Sequence, residues 1–358
     1  MKYKKLEVID LFCWIWGLSH WLYNQWFNIL SWIYFEESCR YGFEFNNKAE
    51  FIKADIRDIK WIDLYNKYSK NSIKILVWCS PCQPFSNLNV KKNIYLNHEK
   101  AIEKSPLDKY SSLIEEMQPD IISMENVRWL AIEWKYPAFK NFLDILEKHN
   151  YYYSYSIVDL KKYWIPQNRY RLVLLASKFW KINIIPYTHE KKFVNVKEVI
   201  SHLPVIKAWE ISKEDTYHRA RKLNDLNMRR ILSMPKDWWN LISWDSSLMA
   251  DCHKKESGKT YAKNIYARMR WDEPSPTMTT QCIWIWNGRF WHPEQNRWIS
   301  LREAAIFQTF PDSFKFIENE ENISTTKIAK QIWNAVPVRL WEIIWISIKE
   351  HLKDNWKI

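Results

Sequence analysis

Five short apolar runs, at residues 6–12, 29–35, 51–54, 73–77 and 121–124, each close on a polar or turn-forming cluster and are separated by helix-length segments. Runs of this length without polar alternation read as strands buried on both faces, and the spacers have the length of crossover helices. The N-terminal half is therefore expected to form an α/β, doubly wound, Rossmann-like parallel sheet whose ligands sit at the carboxyl ends of the strands. Residues 151–160 and 170–176, joined across WIPQN, read as an antiparallel pair closing that sheet. Periodicity fades between 178 and 297, where Pro, Lys, Asn and Ser are frequent, and returns as helical spacing at 301–308, 327–332 and 338–352. The expected division is a first domain at 1–178, a second, smaller domain at 179–325, and a segment at 326–358 that returns to the first.

The composition carries an anomaly: 24 Trp accompany only 4 Gly in 358 residues. Ordinary usage puts Gly at about 7%, roughly 25 in a chain of this size. Trp repeatedly stands where a backbone wants glycine, as at Trp14, Trp16, the Trp238-Trp239 doublet, and Trp333 before Asn334. A large ring cannot take a positive φ cheaply or let a ligand approach the main chain. The reading is that most of these letters stand for glycine, through UGA codons translated as Trp from a gene whose host inserts Gly. Trp271, beside Asp272 in a polar loop, reads as genuine.

A net charge of +12 favours a polyanionic partner. Its distribution sharpens the point, because 20 Lys and Arg face 13 Asp and Glu between residues 179 and 299. Six cysteines without regular spacing do not describe a disulfide framework and fit a reducing compartment. No apolar stretch approaches the length of a bilayer span, and the N-terminal run is broken by Asp10, so a cytoplasmic protein is expected.

Three constellations carry chemistry. The first run opens into Phe12-Cys13-Trp14-Ile15-Trp16-Gly17, which with glycine restored is a Gly-x-Gly-Gly turn; Glu36 follows at the spacing of a ribose-binding acid, and Asp55 ends the third run where an adenine amino group could be read. Next, Pro81 and Pro84 bracket Cys82 and Gln83 in a rigid loop at a strand end, a setting that holds a thiol at a cleft. Cys79 and Cys82 also form C-x-x-C, but no second pair with zinc spacing accompanies it, so a nucleophilic cysteine is expected and no metal. Finally, Glu125-Asn126 follows a buried run, expected on the next strand but one from the Cys82 loop, and a carboxyl group at such a strand end suits proton donation. Gln167-x-Arg169-x-Arg171 puts both arginines on one face of a strand, where they are expected to hold a base carbonyl and phosphates.

Taken in order, DLFCWIWG, Glu36, Asp55, PCQPFS, ENV, QNRYR, a variable stretch, SLREAAIFQTFPDSF and QIWNAVPV resemble the DNA cytosine-5 methyltransferases of bacterial restriction-modification systems over nearly the whole chain. The resemblance implies an S-adenosylmethionine-dependent methyltransferase sheet, duplex DNA as substrate, S-adenosylhomocysteine as product, and a target-recognition role for the second domain. It implies attack on a flipped base by Cys82, with Glu125 acting at ring nitrogen 3, Asn126 positioning Glu125, Arg169 steadying the intermediate, and Gln167 and Arg171 in support. The nucleophile loop would include Gln83, Pro84 and Ser86. The cofactor pocket would be built from Phe12, Cys13, Trp14, Ile15, Trp16, Gly17, Glu36, Asp55, Ile56, Pro81, Asn334 and Val336. Trp14, Trp16, Trp78, Trp129 and Trp333 depart from the family, which has Gly or small residues there. A tRNA-directed branch shares PCQ and ENV, but the long basic segment before SLREAAIFQTFP favours DNA. Literal Trp14 and Trp16 would instead imply a catalytically silent DNA-binding protein. The expected enzyme is a monomer associated with the nucleoid, with a cognate restriction endonuclease as possible partner and no membrane contact.

Overall fold

The computed structural model describes residues 5–11, 27–79, 106–132, 136–237, 247–249, 251–254, 267–278, 282–283 and 290–356. Strands β1 (Leu6–Leu11), β2 (Phe27–Tyr34), β3 (Glu50–Lys53), β4 (Ile73–Cys79), β5 (Ile121–Val127), β6 (Tyr152–Asp159) and β7 (Tyr170–Ser177) form one sheet in the order β3-β2-β1-β4-β5-β7-β6. The first five are parallel, and β7 runs antiparallel to both β5 and β6. All six residues of β1 and all seven of β4 except Lys74 are buried, as sheet layers covered on both faces require. The strand order reverses between β1 and β4, and in open α/β sheets that switch point is where a ligand crevice opens at the carboxyl ends.

Sequence determines how this sheet is clad. The helix Pro106–Met117 buries Leu107, Tyr110, Leu113, Ile114 and Met117, an apolar stripe at helical spacing. Its Tyr110 hydroxyl donates to the Leu76 carbonyl at 3.2 Å and the Ser123 carbonyl at 3.3 Å, tying neighbouring strands β4 and β5. Proline in the first turn starts the helix Pro137–Lys148, which buries Phe139, Phe142, Leu143 and Leu146. The closing helix Val338–Trp356 returns to the sheet, where His351 meets the Ser177 hydroxyl at 2.9 Å.

Two compact units result, one of Met1–Asp159, Tyr170–Tyr187 and Val338–Ile358, the other of Leu160–Arg169 and Thr188–Pro337. These borders differ from the expected divisions at 178 and 325: ten residues between β6 and β7 join the second unit, as do 326–337. The second unit holds little regular structure among its described residues, chiefly the helices Asp225–Ser233, Leu301–Phe307 and Thr325–Asn334. Its apolar centre of Ala208, Leu223, Ile231, Met234, Ala267, Trp291 and Trp298 is supplemented by buried polar bonds. Arg268 donates to the carbonyls of Ile231, His292 and Gln295, and Arg297 makes a two-pronged pair with Glu303 at 2.7 and 2.8 Å, both side chains fully buried. Glu303 also closes a capping box with Ser300 at the start of Leu301–Phe307.

Candidate active site

In the first unit, the carboxyl ends of the five parallel strands share one edge of the sheet. Cys79, the last residue of β4, pairs in register with Glu125 of β5, so β5 is the immediate neighbour of β4 and not the next strand but one. The Cys79 thiol donates to Glu125 Oε2 at 3.0 Å, and the Arg171 guanidinium lies 2.8 Å from Glu125 Oε1. Glu125 is only 3% exposed. Its carboxylate thus has a hydrogen bond at one oxygen and an ion-pair contact at the other.

Arg171, expected to hold a base carbonyl or phosphates, pairs here with Glu125. Val127 faces Arg171 and Glu125 faces Val173 across the antiparallel ladder, which places Glu125 and Arg171 on one face as diagonal neighbours within reach of a long side chain. A buried carboxylate with a guanidinium at contact distance satisfies that guanidinium first. Asn126 follows Glu125 at the end of the strand. Its Oδ1 accepts from the Val127 N–H at 2.8 Å, while its buried Nδ2 has no hydrogen-bond partner among the described residues.

Along the same edge, Glu36 and Asp55 each stand two residues past the ends of adjacent strands β2 and β3. Ser38 donates to Glu36 at 3.1 Å. Asp55 accepts from the Arg57 main chain at 2.9 Å and from its guanidinium at 2.6 and 3.0 Å, and the guanidinium beside it holds its carboxyl below the usual range. A carboxylate retains lone pairs beyond those bonds. Ile56 next to it is buried. Phe12, Cys13, Trp14, Ile15, Trp16 and Gly17, like Pro81, Cys82, Gln83, Pro84 and Ser86, lie outside the described residues.

In the second unit, the structure supplies a residue that sequence reading passed over. Gln308, fully buried after the helix Leu301–Phe307, accepts at Oε1 from Gln167 Nε2 at 2.9 Å and from the Arg169 guanidinium at 3.2 Å. Its Nε2 donates to the carbonyls of Ile332 and Ala335 at 2.9 Å and approaches that of Trp333 at 3.3 Å. The amide can face only one way, since reversing it would set oxygen against three carbonyls and nitrogen against a cation. Gln167 interlocks with it, accepting from the Met278 N–H at 3.0 Å and donating to the Phe307 carbonyl at 3.1 Å. One side chain thereby joins Arg169 to the segment that carries Asn334 and Val336. Asn334 Nδ2 is buried with no hydrogen-bond partner among the described residues, and Val336 is buried. The signal available in sequence was a long polar side chain directly after the apolar AAIF of the helix.

Among the described residues no cluster of His, Cys, Asp or Glu could hold a metal, and no helix is long and apolar enough to cross a membrane. Residues 6–350 match the family of C-5 cytosine-specific DNA methylases. The chain is 43% identical to the Type II methylase M.HgiDII of Herpetosiphon aurantiacus, over 97% of this chain and 96% of that one. It is 31% identical to the Type II methyltransferase M1.BsuMI of Bacillus subtilis over 73% of its own length and 57% of that protein's. In fold it resembles the Entamoeba histolytica methyltransferase EhMeth, with a TM-score of 0.68 at 16% identity, covering 98% of this chain and all of that one. With a family match spanning nearly every residue from β1 to the closing helix, the chain belongs to the C-5 cytosine-specific DNA methylases.

Proposed function

We propose that this DNA (cytosine-5-)-methyltransferase acts through Cys82 as nucleophile, with Glu125 as the partner that polarises the base. The observation that carries the reading is the register pair of Cys79 and Glu125 at the carboxyl ends of β4 and β5. Three peptide links separate Cys79 from Cys82 and span at most about 11 Å. Glu125 is already oriented by Arg171 and by the Cys79 thiol, so little reorganisation is needed when a base arrives.

In this mechanism the Cys82 thiolate adds to ring carbon 6 of a cytosine extruded from the duplex, while Glu125 hydrogen-bonds or protonates ring nitrogen 3. The electron pair released toward carbon 5 makes that carbon nucleophilic. S-adenosylmethionine supplies the electrophilic methyl group. Loss of the carbon 5 proton to a base then expels the Cys82 sulfur and restores the aromatic ring. The unpartnered Nδ2 of Asn126 is a donor for an acceptor on the substrate, and Arg169, held by Gln308 and Gln167, serves the base carbonyl. In the first unit the fit to the methyl donor rests on Glu36 and Asp55 at the strand ends and on buried Ile56 beside them. The unit of Leu160–Arg169 and Thr188–Pro337 reads the DNA target, and the likeness to Type II methylases supports a modification role beside a cognate endonuclease, in the cytoplasm.

The test is trapping on a duplex that carries 5-fluorocytosine at the target site, with the methyl donor present. A covalent complex is expected for the active chain and none for Cys82→Ser, which still binds DNA. Turnover by Cys82→Ser overturns the assignment, and bisulfite sequencing of cellular DNA identifies the site.

A further inference from the structure

We infer that the residues written Trp164 and Trp209, and with them the fully buried Trp32, Trp78, Trp341 and Trp345, are glycine in the protein made by its own host. Seven non-glycine residues among the described ones have left-handed backbone: Lys48, Gln118, Asn150, Trp164, Trp209, Asp237 and Thr309. The left-handed region is where folded chains place glycine, because any Cβ crowds the following carbonyl. Trp164 has φ 67 directly after a short helical turn at Leu160–Tyr163, the position at which helices end on glycine. Trp209 has φ 71 as third residue of a turn closed by the Glu210 N–H on the Lys207 carbonyl at 3.1 Å, the site a type II turn reserves for glycine. Neither ring is compensated by burial, since they are 47% and 60% exposed.

The buried group argues the same way from different chemistry. Trp32, Trp78, Trp341 and Trp345 are wholly enclosed, yet none of the four indole N–H groups has a hydrogen-bond partner among the described residues. Buried tryptophans ordinarily find one, because an enclosed, unsatisfied donor is costly. Trp271 carries neither mark: its backbone is not left-handed, and its side chain is only half-buried. A codon read as Trp in translation and as Gly in the host accounts for both groups and for a chain with 24 Trp and 4 Gly.

The test is peptide mass spectrometry on the protein isolated from the organism that carries its gene. Trypsin releases residues 163–169 with position 164 and 208–213 with position 209, and the peptide beginning after Arg270 reports position 271. Glycine at 164 and 209 with tryptophan at 271 is expected. Tryptophan at 164 or 209, or glycine at 271, overturns the inference. A second reading comes from a standard host, where Trp164→Gly with Trp209→Gly should raise the thermal midpoint by about 2 °C or more, as two left-handed rings are removed. A lowered midpoint overturns it.

Discussion

Replacing Gln308 with Met removes every polar contact of a fully buried side chain while nearly keeping its shape. The Arg169 bond to Oε1, at 3.2 Å, is charge-assisted and contributes about 1.5–3 kcal/mol, and each neutral bond about 1 kcal/mol. Arg169 retains a long contact to Gln167 at 3.4 Å, and Gln167 retains the Phe307 carbonyl, so not all of that is lost. A net loss of about 3–4 kcal/mol follows, at the top of the usual range for single substitutions. For a unit of this size it lowers the midpoint by roughly 10 °C in scanning calorimetry. Gln308→Glu separates the two halves of the contact. It still accepts from Arg169 and Gln167 but sets a carboxylate against the carbonyls of Ile332, Trp333 and Ala335. Methyl-donor affinity, measured by equilibrium dialysis, should fall about tenfold, equivalent to about 1.4 kcal/mol. DNA affinity should stay within about twofold. If Gln308→Glu leaves donor binding unchanged while Asn334→Ala weakens it, the coupling through Gln308 is refuted; if neither variant moves it, the assignment of that segment to the cofactor fails.

The remaining predictions concern the same two units. Glu125→Gln keeps size and burial but loses the charge that holds Arg171, and kcat should drop about 10²–10⁴-fold with duplex binding retained in a gel-shift assay; wild-type turnover would remove Glu125 from the chemistry. Glu303→Gln leaves the enclosed Arg297 without its counter-charge and should cost about 3–5 kcal/mol, enough to unfold the second unit at physiological temperature by circular dichroism; an unchanged melt would contradict this. Acid should also destabilise that unit through His292. Burial pushes His292 down to about 3, against the nearby Glu303 carboxylate, and its Nδ1 already accepts the main-chain N–H groups of Glu294 and Gln295. Because the folded form resists a proton that the unfolded chain takes up near 6.5, stability is complete above that range. It declines by up to about 1.4 kcal/mol per pH unit as pH falls toward 3. A His292→Gln variant with the same acid slope in urea melts between pH 6 and 4 would disprove the role.

The parallel strands were legible because burial on both faces leaves no polar alternation to disguise them, and β6 with β7 was legible because WIPQN can only join antiparallel neighbours. The adjacency of β4 and β5 was not. The long stretch between Cys79 and Ile121 leaves room for another strand in sequence, and only the register of Cys79 with Glu125 removes it. The charge of the basic stretch overstates what it presents to a polyanion. Arg230, Arg268 and Arg297 raise its charge, yet all three are buried and bonded internally. Composition counts charge without knowing which groups the fold consumes.

The site shows the same boundary between what local pattern encodes and what only folding can supply. Alternation alone put Arg169 and Arg171 on one face of a strand, but the strand begins at Tyr170, so Arg169 precedes it and belongs to the second unit. Their partners could not follow from alternation, because each is chosen by a contact distant in sequence. Arg171 finds Glu125 across 46 positions, and Arg169 finds Gln308 across 139. A buried guanidinium is costly until paired, so the fold places a carboxylate against one arginine and amide oxygens against the other. The difference has chemical meaning. Arg171 meets a full negative charge and serves to hold Glu125, whereas the amide oxygens of Gln167 and Gln308 hold Arg169. That asymmetry predicts that Arg171→Lys, which preserves charge on a shorter reach, costs activity through Glu125 and should leave Glu125→Gln no worse when combined with it. Arg169→Lys should instead add its loss to that of Glu125→Gln. A double-mutant cycle on kcat that shows both arginines additive with Glu125, or both coupled to it, would defeat the division of labour between them.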